Sequence, residues 1–78
     1  MHRVKILYLD DWYTVYLDGV SIDSGHVLEA EDFLLLSEEH GFKHKDIKAI
    51  CVSNERDIDY SMRHGGLPIN LNSLKGEY

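Results

Sequence analysis

Apolar and polar residues alternate at the start of the chain. Val4, Ile6 and Tyr8 fall on one side of an extended backbone, Arg3 and Lys5 on the other. Period two in β-branched and aromatic residues predicts a strand over 3–9. Asp10-Asp11 interrupts it, and residues 12–17, dense in strand formers, predict a second strand. Asp18-Gly19 separates that strand from Val20-Ser21-Ile22-Asp23. The pair predicts a hairpin closed by a type I′ turn, because both central positions need positive φ and these residues tolerate it. Ser24-Gly25-His26 reads as a loop.

The period then changes. Residues 29–40 predict a helix with Glu29, Glu31 and Asp32 at its start, where the helix dipole favours negative charge. Ala30, Phe33, Leu34 and Ser37 form its apolar stripe, widened by Leu36. Gly41 supplies a left-handed cap, and Phe42 folds back on the last turn. After a polar link over 43–46, residues 47–52 predict another strand. Asp57 or Asp59 is positioned to cap a short helix through Met62, stopped by Gly65-Gly66. Pro68 keeps Leu67 out of the α region. Residues 74–78 are expected to fray. The order β-β-β-α-β predicts an α+β fold in one domain over 1–73. A small antiparallel sheet carries one main helix on one face, with a short helix or turn to follow. The second sheet face, or the sheet edges, is left for a partner chain.

Composition narrows this picture. The chain has 78 residues, 44% of them hydrophobic, which fits one domain and excludes a disordered tail. A fold this small buries only about 60–65% of its unfolded surface, so a homo-oligomer is expected. No apolar run is longer than that of Phe33 to Leu36, four residues, far short of the roughly 20 residues of a membrane span. No apolar stretch of signal-peptide length follows Met1-His2-Arg3-Val4-Lys5. Cys51 is the single cysteine, so no internal disulfide and no cysteine-based zinc site can form. A cytoplasmic setting fits these features.

Charge is segregated within a net of −6. Between Asp10 and Glu39 lie nine acidic residues and no basic one. Such a flank repels DNA and RNA but suits a protein with a basic surface, whose association it accelerates. The plainer reading is a solvated surface that keeps the chain soluble. Basic residues fall in patches: Arg3 with Lys5, then Lys43, Lys45 and Lys48, then Arg56 and Arg63. Arg56, Arg63 and His64, with the amides of Gly65-Gly66, could converge on an anion.

Candidate chemistry is sparse. His40 and His44 are four apart, but Gly41 ends the helix between them, and there is no H-E-x-x-H or paired-cysteine motif. No metal or other cofactor is expected. Cys51 sits in an apolar run, where a thiol ordinarily packs as a small core residue. Ser24 and His26 are close in sequence, yet adjacency does not make a triad, and turn chemistry accounts for them. Tyr8, Trp12, Tyr13 and Tyr16 are concentrated in the first two strands. They serve either as core or as a grip on a partner or a base.

The run Trp12, Tyr16-Leu17-Asp18-Gly19-Val20, Ser24-Gly25-His26 and Leu28, then an acidic helix and Gly66-Leu67-Pro68 with Leu71, spans 12–71. This pattern resembles small uncharacterised accessory proteins encoded by bacteriophages. The resemblance brings no catalytic residues. It implies a stoichiometric antagonist of a host process, acting in the host-cell cytosol. The expectation is therefore a non-enzymatic binding protein that grips a basic host protein through Trp12, Tyr13, Glu31 and Glu38. The alternative is an oligomeric sponge for a nucleotide second messenger, with bases stacked on Trp12 or Tyr13 and His26, Arg56, Arg63 and His64 as ligand residues. A small hydrolase or nuclease is the third reading. No nucleic-acid or membrane partner is expected.

Overall fold

The computed structural model describes residues 2–76 and Tyr78, with His44 described by its backbone alone. The chain folds as β1 (Val4–Leu9), β2 (Trp12–Leu17), β3 (Val20–Gly25), α1 (Ala30–His40), β4 (Ile47–Cys51) and α2 (Glu55–His64), with short 3₁₀ turns before β4 and at Leu71–Ser73. The fold is α+β. The four strands make one sheet in the order β3-β2-β1-β4.

Asp18 and Gly19 both adopt positive φ, 50° and 90°, as the predicted hairpin turn requires. The β2–β3 register slips between Val15 and Tyr16: Val15 faces Asp23 while Tyr16 faces Ser21, leaving Ile22 as an extra residue. The expected antiparallel sheet is in fact mixed. β1, β2 and β3 pair antiparallel, but β4 returns after α1 to lie parallel to β1, from Val4 beside Ile47 to Tyr8 beside Cys51. A helical crossover is what lets a strand rejoin its sheet in parallel.

Strand alternation gives the sheet two apolar faces. Val4, Ile6, Tyr13, Val15 and Phe42 form a core on one face, with Phe33 and Leu36 of α1 packed on it. Leu7, Tyr16, Val52 and Leu74 form a second core on the other, with Ile58 and Tyr60 of α2 packed there. The face expected to await a partner chain is thus covered by the chain's own α2 and last residues.

Two local expectations need correction. On α1 the inward stripe is Phe33, Leu36 and Ser37, whereas Ala30, Leu34 and Leu35 are exposed. Gly41 caps the helix at φ 74°, and Phe42 turns back so that its ring meets Phe33 edge-on at 5.6 Å. That contact selects which leucines face inward. The cap of α2 is Asn54, whose Oδ1 accepts from the amides of Arg56 at 3.0 Å and Asp57 at 3.3 Å, not Asp57 or Asp59.

The segment expected to fray is docked. Leu74 is buried, and the Asp57 carboxylate accepts from the amides of Lys75 (2.5 Å) and Gly76 (2.8 Å) and from the Tyr78 hydroxyl (2.6 Å). These contacts reach across most of the second half of the chain, so local pattern gave no sign of them.

Candidate functional site

The outer face of α1 carries the first candidate surface. Glu31, Leu34, Leu35 and Glu38 stand at helical spacing i, i+3, i+4 and i+7, which places them on one face. All four are exposed, Leu34 at 64% and Leu35 at 63%. Exposed leucines bracketed by carboxylates form an apolar strip with an acidic rim. Glu29, Asp32 and Glu39 add further exposed negative charge around it.

The aromatic residues do not join that surface. Tyr13 is 4% exposed and belongs to the core beneath α1. Its hydroxyl donates to Asp23 at 2.7 Å, and burial, with that hydrogen bond and the Asp23 charge, pushes the phenol up to about 12. It therefore has no ring face to offer a partner. Trp12 pairs in register with Leu9 and lies on the opposite sheet face from α1. Its ring meets His26 edge-on at 4.7 Å. With Asp10, Asp11, Ser61 and Gly66 it borders a hollow of about 220 Å³ at the end of α2. Ser61 is buried there, and its hydroxyl has no hydrogen-bond partner among the described residues. Trp12 and the glutamates of α1 are thus separate features on different layers.

The basic residues proposed to hold an anion are spread out. Arg56 is in the first turn of α2 and Arg63 in the last, about 10 Å apart along the axis. Arg63 is paired with Asp59 at 3.2 Å. His64 stacks on Tyr60 at 4.1 Å, with Nδ1 at 2.8 Å from the Tyr60 carbonyl. His26 lies against the Trp12 ring and 3.8 Å from Asp11. Among the described residues, no three of His, Cys, Asp or Glu are grouped as a metal site would require. The pairing of His40 with His44 involves a side chain outside the described residues. No helix is long and apolar enough to cross a membrane among the described residues.

Cations do converge elsewhere. Arg3 and Lys5 line a cleft of about 640 Å³ closed by Asp18, Asn72, Leu74 and Tyr78. Lys5 donates to the main-chain carbonyl of Tyr78. The cleft is larger than the hollow beside Trp12, and its cationic wall comes from Lys5 on β1 and Arg3 just before it. The signal for that wall was present in the alternation that puts Arg3 and Lys5 on one side of β1; its opposite wall, from residues 71–78, was not legible.

The Asp57 contacts shape this cleft from below. Burial pushes the Asp57 carboxyl up, but the Lys75 amide, the Tyr78 hydroxyl and the Gly76 amide together outweigh it and hold the group below its ordinary value. Burial and the same carboxylate push the Tyr78 phenol up. The carboxylate is therefore an ionised anchor that orders the segment forming one wall.

No family model, curated protein or solved structure matches this chain.

Proposed function

We propose that the protein is a non-enzymatic binding protein whose α1 outer face docks on a partner protein with a basic surface. In keeping with the resemblance to phage accessory proteins, occupying that partner would antagonise a host defence process. The observation that carries the reading is the exposed stripe Glu31, Leu34, Leu35 and Glu38. Leucines left in water gain free energy when covered, at about 25 cal/mol per Å² of apolar area. Carboxylates at the rim steer a basic partner and disfavour an acidic one. Tyr13 leaves the set first expected, because its ring is committed to the core; Trp12 stands outside this surface.

The test compares the native chain with a Leu34→Ser/Leu35→Ser variant and a Glu31→Lys/Glu38→Lys variant. These exposed changes should leave stability within about 0.5 kcal/mol. In capture from host lysate followed by calorimetry, the native chain should hold one basic protein at a fixed ratio. Both variants should lose it, and high salt should weaken it. Full retention by both variants, or conversion of many equivalents of a substrate per chain, would end this reading.

A further inference from the structure

We propose that the cleft between the start of β1 and the residues Leu71, Asn72, Leu74 and Tyr78 binds a nucleoside monophosphate. The inference rests on different residues from the α1 surface and stands without it.

The cleft holds about 640 Å³, within the roughly 300–1,000 Å³ of small-molecule pockets and far more than a bare phosphate needs. Its chemistry is divided. Arg3 immediately precedes β1 and Lys5 lies two residues on within it, and both line the cleft from that side. Lys48 of β4 is in register with Lys5, extending the cationic row on that face to the neighbouring strand. This concentration stands out in a chain of net charge −6. The Arg3 guanidinium has no carboxylate partner among the described residues, and its planar fork is suited to bidentate contact with phosphate oxygens. Lys5 gives one N–H to the Tyr78 carbonyl and keeps two donors.

The remaining lining is of another kind. Leu71, Leu74 and the Tyr78 ring supply apolar and aromatic surface, and the Asn72 amide offers both a donor and an acceptor. An anion alone would use only the first wall. A ligand with a phosphate at one end and a flat, hydrogen-bonding ring at the other uses both, which is the chemistry of a nucleotide.

Among the described residues, the carboxylates of Asp18 and Asp57 lie close by. Asp18 lines the cleft, but Oδ1 accepts the Arg3 amide at 2.8 Å and Oδ2 is 2.9 Å from His2 Nδ1. Asp57 is buried behind Lys75, Gly76 and Tyr78, which supply its three donors. Both accept from donors of this chain, which leaves the Arg3 guanidinium and the remaining Lys5 donors for the ligand.

The decisive measurement is calorimetric titration of the intact protein with the four common nucleoside 5′-monophosphates, with inorganic phosphate and adenosine as separate probes. At least one monophosphate should bind one per chain, about tenfold or more tighter than either inorganic phosphate or the free nucleoside, since only the whole ligand meets both walls. Arg3→Gln should weaken it about tenfold by removing a charge-assisted contact. Lys5→Gln should act in the same direction, and the Leu34→Ser/Leu35→Ser variant should bind as the native chain does. Arg3 is exposed, so its variant keeps the fold and decides the matter if Lys5→Gln proves unstable. Absence of heat with every monophosphate, equal affinity for inorganic phosphate, or undiminished binding by Arg3→Gln would each overturn the assignment.

Discussion

Replacing Asp57 tests how the last residues are held. The side chain is 1% exposed and accepts three hydrogen bonds, at 2.5, 2.8 and 2.6 Å, from the segment after Leu74. Hydrogen bonds to a charged group contribute about 1.5–3 kcal/mol each, but donors released near the surface regain water. Asp57→Ala should therefore cost about 3–5 kcal/mol, toward the low end of three such bonds. A chain of this size has about 4–12 kcal/mol in total, so the loss is a large part of its stability. Denaturation in urea should show it as a lower midpoint, and the thermal midpoint should fall by about 12 °C or more. Amide exchange at Lys75 and Gly76 should become fast. The pH dependence isolates the charge. The native carboxyl is held below its ordinary value, so its contribution is full above about pH 4 and is lost as pH falls through the native value. Asp57→Asn keeps the shape and should flatten that acid limb. A native-like midpoint for Asp57→Ala, or an unchanged acid limb for Asp57→Asn, would refute the reasoning.

Two further outcomes follow from the core and the caps. Burial pushes the Tyr16 phenol up to about 12, and burial with the Asp23 contact does the same for Tyr13. The stability tied to these neutral phenols is full below about pH 10 and is lost as pH rises through 12. Phenolate absorbance should show three late-titrating tyrosines, Tyr13, Tyr16 and Tyr78, and Tyr16→Phe should remove one of them. Asn54→Ala deprives two amides of α2 of their acceptor and should cost about 1 kcal/mol, read as a shifted urea midpoint at constant slope.

Much of the architecture was legible because it depends on neighbours in sequence. Asp18-Gly19 needs only its own backbone preferences to make the turn, and Gly41 with Phe42 to end α1. The four apolar residues Phe33–Leu36 show the limit: a run apolar all round does not say which side turns inward, and the side taken, Phe33 with Leu36, is the one on which Phe33 meets Phe42. Tyr13 was ambiguous for the same reason, since alternation names its face but not what covers that face. The parallel placement of β4 and the burial of Asp57 lay beyond reach, because both depend on residues that meet only after the crossover and α2 are in place. The charges of the cleft were visible as Arg3 and Lys5, while its far wall came from a segment read as frayed.

The chain leaves β3, runs through α1 and only then delivers β4 beside β1, so the innermost strand waits for one of its neighbours. Val4 can meet Val15's hairpin early, but it meets Ile47 only once α1 has closed a long loop, and such closures are entropically slow. Like β3, α1 has no fully buried residue; it is held through the half-buried Phe33 and Leu36 and the adjoining Phe42. Local opening is therefore expected at α1 first, read as faster amide exchange there than in β1, β2 and α2.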